Sequence, residues 1–245
     1  MFDYHGRRAL VTGAGQNVGE GIATALAAAG AEVFINDYFP ERAERVASEL
    51  NELGYTAHPL PFDVTDYDAA VAAISSVGAL DVLVNNAGNG GAHGMTPTKF
   101  RDSTPASWRG PIDVNLYGVM NCCHAVIGDM CDRGYGRIVT IASGAGLVGL
   151  SIGVSPYAAG KGGAISFMRH LAVETARSGV TANTLAIGLM TMEDHTVTEA
   201  LARQIPTGRT GLPTDIASAV VWIASEESNW VTGQTISING GSTTS

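Results

Sequence analysis

Short apolar runs alternate with longer stretches of helical periodicity from one end of the chain to the other. The runs at 9–11, 32–36, 56–61, 82–85, 137–142, 181–186 and 235–238 read as strands, and residues 19–29, 41–53, 67–77, 105–131, 157–177 and 215–224 read as helices. Runs such as Val33-Phe34-Ile35 and Val82-Leu83-Val84 are apolar at every position. A strand of that kind is buried on both faces, as in a parallel sheet covered by helices on each side. The alternation therefore predicts repeated βαβ units, an α/β doubly wound parallel sheet of about seven strands in one domain over residues 1–245. Three longer loops, 89–104, 143–156 and 188–213, each follow the C-terminal end of a strand, which is where open α/β sheets bind ligands.

Composition narrows the function classes. With 45% hydrophobic and 15% charged residues, the chain of 245 can bury a full core and is not intrinsically disordered. Against 23 Asp and Glu it carries 14 Lys and Arg, a net charge of −9, which disfavours a nucleic-acid or anionic-membrane partner. No apolar run is long enough to span a bilayer. The start MFDYHGRRALVTG lacks an apolar signal region, so a cytoplasmic location is expected. Cys122, Cys123 and Cys131 share one helical stretch and make no disulfide framework. Consecutive positions on a helix point in different directions, so Cys122, Cys123 and His124 do not converge on an ion, and no metal site is expected.

The first strand runs into TGAGQNVGEG, residues 12–21, directly before a helix. Glycines there let a backbone approach a pyrophosphate, and the helix N-terminus offers free N–H groups and a positive dipole. Such turns also occur for tight packing alone. Asp37, at the end of the second strand, sharpens the reading: its carboxylate can accept hydrogen bonds from an adenosine ribose diol. It would repel a 2′-phosphate, and Gln16, Asn17 and Tyr38 supply no cation. NAD(H) is therefore expected over NADP(H). The alternatives for Asp37 are a solvated turn and an Arg42 that swings in beside it, and the charged residues at 40–45 read as a solvated helix start.

Tyr157-Ala-Ala-Gly-Lys161 opens the helix after the 143–156 loop, and the i, i+4 spacing puts phenol and ammonium on one face. A phenol working near neutrality needs its pKa well below the ordinary value, roughly 4 kcal/mol of preference for the phenolate. A neighbouring Lys and an oxidised nicotinamide both act in that direction. Ser143 ends the fifth strand in VTIASG, at the mouth of the same crevice.

These features stand in order with others: Asp63-Val64, Asn85-Asn86-Ala87-Gly88, Val114-Asn115-Leu116, GRTGLPTDIA (208–217) and WVTGQTISINGG (230–241). Over essentially its whole length the chain resembles the short-chain dehydrogenase/reductase family, with its Rossmann-type fold. The resemblance implies that Tyr157 is the general acid/base, Ser143 polarises the substrate oxygen, and Lys161 lowers the Tyr157 pKa and holds the nicotinamide ribose. It implies that Asn115 anchors a proton relay, that Asp63 and Val64 contact adenine, and that Asn86, Ala87 and Gly88 line the cofactor cleft. Gly13, Gly15, Gln16, Asn17, Val18 and Gly19 would form the dinucleotide turn, and Ile187 and Thr191 would border the nicotinamide carboxamide. A homotetramer is implied too, with the segment at 230–238 and the long helices supplying its interfaces.

The chain departs from the family pattern in places. Asn17 stands at the middle glycine of the turn, and Asn tolerates a left-handed backbone. The usual Pro-Gly after the sixth strand is Ile187-Gly188, with Thr191 one residue closer than in the pattern. Gly110-Pro111 interrupts the helix that carries Asn115, and the favoured reading is a helix beginning near Pro111. Residues 147–154 and 189–192 are apolar and suggest a hydrophobic or aromatic substrate. His93 and His195 lie in the pocket-forming loops, where substrate contact is open to them and solvation is the favoured reading; Met190 and Met192 suit either substrate contact or packing.

The expected activity is interconversion of a secondary alcohol and a ketone by hydride transfer with NAD(H). One rival is a 3-oxoacyl-(acyl carrier protein) reductase-like enzyme; the other, of a different class, is a non-catalytic dinucleotide-binding regulator.

Overall fold

The computed structural model describes residues 2–88, 94–191 and 195–244. Seven strands, all parallel, make one sheet: β1 (Arg8–Val11), β2 (Glu32–Ile35), β3 (Ala57–Pro59), β4 (Val82–Asn85), β5 (Gly136–Ser143), β6 (Val180–Ile187) and β7 (Thr235–Ile238), in the order β3-β2-β1-β4-β5-β6-β7. The order reverses between β1 and β4, which places a crevice at their C-terminal ends. Helices α1 (Asn17–Ala28), α2 (Pro40–Glu52), α3 (Tyr67–Ser76), α4 (Pro105–Ile112), α5 (Gly118–Arg133), α6 (Ser155–Thr175), α7 (His195–Ala202) and α8 (Pro213–Ile223) complete the fold.

The all-apolar strands divide their side chains between two cores. Ala9 and Val11, Val33 and Ile35, and Val82 and Val84 face the layer holding Ile22 and Leu26 of α1 and Val220 of α8. Leu10, Phe34 and Leu83 face the layer holding Ile74 of α3, Val126 of α5 and Met168 of α6. Period-two alternation in a strand buried on both sides gives this division. The expected doubly wound α/β sheet of seven strands is the fold observed.

Three elements differ from the sequence reading. β3 is a three-residue edge strand, and Pro59 and Pro61 limit it because proline cannot donate to a ladder. Residues 195–202, read as part of a loop, form α7. Helix α4 starts at Pro105 rather than near Pro111. Its first turn is closed by Thr104 N donating to Ser107 Oγ (3.2 Å), with Pro105 at a position that needs no N–H. Pro111 therefore lies inside the helix, where it removes one hydrogen bond. Just beyond it, Asp113–Tyr117 widen into a π-helical turn before α5 resumes.

Asn115 sits in that turn, fully buried, and its Nδ2 donates to the Pro111 carbonyl at 2.7 Å. Helix α6 packs on the turn through glycine. A Cβ at Gly160 would lie 2.9 Å from the Pro111 oxygen and 3.0 Å from Asn115 Cβ. Replacing Gly160 by Val should therefore overpack this contact and cost about 1–3 kcal/mol. For a chain of this size that lowers the melting temperature by roughly 2–4 °C per kcal/mol. Thermal unfolding followed by circular dichroism checks it, and an unchanged melting curve would mean that α6 and the π-helical turn separate without cost.

Candidate active site

The two walls of the crevice are stitched together by hydrogen bonds from the ends of β1, β2 and β4. Thr12 Oγ1 accepts from Asn86 N (3.0 Å) and Ala87 N (3.1 Å), and Asn86 Nδ2 donates to the carbonyls of Thr12 and Gly13, both at 2.9 Å. On the other side Asn36 Oδ1 accepts from Gly13 N (3.3 Å), while its Nδ2 donates to Leu60 O and Phe62 O. The turn from 12 to 19 is thus held at both ends before any ligand binds.

Its glycines are there because nothing larger fits. Gly13 has φ +59°, and a Cβ on it would lie 2.8 Å from Ala87 Cα. A Cβ on Gly15 would lie 2.6 Å from both Asp37 Oδ2 and Arg42 Cβ. Asn17 adopts φ +51°, the left-handed conformation that the sequence reading allowed it. Gly19 is buried against the Gly13 carbonyl and Asn86 Nδ2, Val18 is half-buried against the core, and Gln16 and Asn17 are exposed at the start of α1. That helix start leaves backbone N–H groups without intrahelical partners.

Asp37 is only 6% exposed. Its Oδ2 accepts from Gly15 N (3.2 Å) and its Oδ1 from Phe39 N (3.0 Å), which fixes the carboxylate beside the turn. Arg45, read from sequence as part of a solvated helix start, reaches back to the turn: its Nη2 donates to Gly15 O (2.9 Å) and to Glu20 (2.8 Å). A cradle that only glycine can line, a helix N-terminus and a braced carboxylate together fit a dinucleotide.

Further along the crevice, Asp63 Oδ1 accepts from the amide and hydroxyl of Thr65, both at 2.8 Å. Val64 is buried against Gly118, and its carbonyl accepts from Asn121 Nδ2. Gly88 brings the segment after β4 against Asn115 and Lys161: a Cβ there would lie 2.9 Å from Asn115 Oδ1 and 3.0 Å from Lys161 Nζ.

Ser143 closes β5 and pairs in register with Ile187 at the end of β6. The Ser143 hydroxyl accepts from Ala145 N (3.2 Å) and faces the Tyr157 phenol. Lys161, 4% exposed, has its Nζ 5.9 Å from the centre of the Tyr157 ring and donates to Ile141 O at 2.6 Å. Burial pushes the Lys161 pKa down from 10.5 to about 8. Burial also raises the Tyr157 pKa above its ordinary 10, and the Ser143 hydroxyl pulls it partly back. The expected lowering of the Tyr157 pKa is therefore not a property of the protein groups alone. Desolvation of the phenolate outweighs the protein's own hydrogen bond, so an additional positive charge is needed.

Thr191 behaves differently from Ile187. Its hydroxyl lies 2.8 Å from that of Thr210, and its N–H donates to Gly211 O, tying residues 189–191 to the segment before α8. His93, Met192 and the side chain of His195 lie outside the described residues. Cys122 and Cys123 are buried in the core, where desolvation raises both thiols, Cys123 to about 12. His124 Nδ1 instead pairs with Tyr67 OH at 3.0 Å. Sequence reasoning missed Thr12, Asn36 and Arg45 as site-building residues. For the first two the signal was available: a polar residue at the end of an apolar strand, each only 1% exposed, must spend its polar atoms locally.

The family model described as short chain dehydrogenase matches residues 7–201. The chain belongs to the short-chain dehydrogenase family. It is an oxidoreductase of the kind that acts on alcohol and ketone groups. An acetoacetyl-CoA reductase of Shinella zoogloeoides is 38% identical over 245 residues, covering 96% of this chain and 98% of that one. Among solved structures, a 3-oxoacyl-[acyl-carrier protein] reductase of Brucella melitensis with bound NAD is 36% identical with TM-score 0.93, covering 99% of this chain and 93% of that one. A gluconate 5-dehydrogenase of Burkholderia cenocepacia, in complex with NADP and tartrate, is 34% identical with TM-score 0.91, covering 98% and 96%.

The buried Lys161 predicts a stability signature. Below pH 8 its ammonium is charged in both states, and the folded state bears the cost of burying it. Between about 8 and 10.5 the unfolded chain still binds the proton and the folded one does not, so wild-type stability rises with pH. Lys161→Met should be more stable than wild type at neutral pH, by up to about 3 kcal/mol, and lose that advantage by pH 10.5. Chemical denaturation across this range checks it; an advantage that does not vary with pH would contradict a buried ammonium.

Proposed function

We propose that this dehydrogenase interconverts a secondary alcohol and a ketone on a hydrophobic small molecule, with NAD(H) preferred over NADP(H). The observation that carries the reading is the meeting of Ser143, Tyr157 and Lys161 beside a glycine cradle braced by Asp37. When bound, the nicotinamide accepts or supplies the hydride. The chain's own residues do the rest. Tyr157 takes the hydroxyl proton in oxidation and returns it in reduction, and Ser143 holds the substrate oxygen by its O–H. Lys161, anchored on Ile141 O, keeps a positive charge near the phenol and holds the nicotinamide ribose. Asn115, oriented by the Pro111 carbonyl and sharing Gly88 as neighbour with Lys161, carries the proton onward to solvent. Gly13 to Gly19 and Asn86 to Gly88 hold the dinucleotide, Asp63 and Val64 meet its adenine, and Ile187 and Thr191 border its nicotinamide.

Asp37 supports the cofactor preference, because its carboxylate accepts from a ribose diol and repels a 2′-phosphate. Leu147, Val148, Leu150, Ile152 and Leu189, each at least 40% exposed at the rim of the site, support an apolar substrate. A 3-oxoacyl thioester is the second reading, favoured by the acetoacetyl-CoA and 3-oxoacyl reductases among the relatives. Trp230 and Val173, 95% and 80% exposed, support a homotetramer closed over the segment after α8 and over α6. No helix among the described residues is long and apolar enough to cross a membrane.

Titration with NADH and NADPH side by side, followed by turnover of acetoacetyl-CoA and of uncharged aryl ketones, tests the reading. NADH should bind at least tenfold tighter, a gap of about 1.4 kcal/mol, and Asp37→Ala should narrow it. Tyr157→Phe should abolish turnover and leave NADH binding nearly intact. Loss of NADH binding as well would make Tyr157 structural, and a preference for NADPH would overturn the role given to Asp37.

A further inference from the structure

Asp37 has a cationic neighbour that the glycine turn holds in place. The Arg42 stem stands against Gly15: a Cβ built on that glycine meets Arg42 Cβ and Asp37 Oδ2 at the same 2.6 Å. Arg42 is therefore rooted at the spot where Asp37 meets the adenosine ribose, on the first turn of α2. Its guanidinium lies over the Phe39 ring, 4.4 Å from the centre, and Phe39 in turn meets Tyr38 edge-on at 5.1 Å. Among the described residues no carboxylate comes within salt-bridge distance of Arg42. Arg45, one turn further on, is engaged by Glu20, Glu49 and the Gly15 carbonyl and is not available to a ligand.

We propose that Arg42 is a second reader of the adenosine ribose, opposed to Asp37: its guanidinium leaves the face of Phe39 and pairs with a 2′-phosphate. The proposal rests on the dinucleotide reading of the crevice. A cation stacked on an aromatic ring is held by a weak interaction, whereas a guanidinium–phosphate pair is bidentate and charge-assisted. The swap therefore favours the phosphate. Asp37 sets the preference for NAD(H), and Arg42 limits how far NADP(H) is refused. Such a chain discriminates by the difference between two groups rather than by one.

The experiment is a fluorescence titration of wild type, Arg42→Gln and Arg42→Lys with NADH and NADPH, at low and at high salt. Arg42→Gln should raise the ratio of NADPH to NADH dissociation constants at least tenfold, and Arg42→Lys should raise it less. The wild-type NADPH constant should weaken with salt more steeply than the NADH constant, and Arg42→Gln should remove that difference. A ratio in Arg42→Gln within twofold of wild type overturns the proposal, as does wild-type protein that binds NADH but not NADPH at any measurable level. Wild type that binds neither dinucleotide defeats the reading of the crevice itself, an outcome distinct from the other two.

Discussion

Everything in the site depends on how tightly the ends of β1 and β4 are joined where the sheet order reverses. Thr12 and Asn86 supply that join with four hydrogen bonds of 2.9–3.1 Å, using the side chain of each to satisfy backbone groups of the other strand. A parallel sheet that changes direction opens a crevice at this point, and without a tie its two walls could shift independently. The tie forces the turn after β1 against Ala87, which is why Gly13 must be glycine, and Asn36 and Asp37 close the same turn from β2. The cradle is therefore preorganised by protein contacts, and a ligand need not order it.

Asn115 and Lys161 are placed by a second constraint, the contact of α6 with the π-helical turn. Gly160 allows α6 to approach the backbone at Pro111, which aligns Asn115 and Lys161 around Gly88. Pro111, which looked in sequence like a helix start, is better understood as part of this arrangement: its carbonyl fixes the amide of Asn115. The cost is a lysine ammonium brought into the interior with a backbone carbonyl as its acceptor, and a phenol whose ionisation is opposed by burial. Active sites commonly carry such unfavourable terms, because the groups become useful only when a ligand adds the missing charge.

Much of this was legible in the sequence, for reasons that differ by residue. All-apolar strands such as Val33-Phe34-Ile35 announced two-sided burial, and the sheet and its seven strands followed. Asp37, Ser143, Tyr157 and Lys161 were visible because their spacing relative to strand ends puts them at one edge. The start of α4 was misread because a proline signals both a first turn and a tolerated kink, and only the Thr104–Ser107 closure decides between them. The opposing effect of burial on Tyr157 was not legible, because sequence shows neighbouring charges but not desolvation, and desolvation is the larger effect in the free protein. Arg45 was taken for solvated because its reach back to Gly15 depends on how α2 packs beside α1, which no local pattern encodes.

The central claim is that Tyr157 is a proton carrier that burial holds neutral, even with Lys161 nearby, until a second positive charge arrives beside it. The most direct measurement is an ultraviolet difference titration of wild type against Tyr157→Phe, with and without saturating NAD⁺. The account predicts that in the free protein the Tyr157 phenolate forms only above pH 10, and that NAD⁺ moves its formation toward neutrality. A phenolate already formed near neutral pH in the free protein, or a titration that NAD⁺ leaves unmoved, would contradict it.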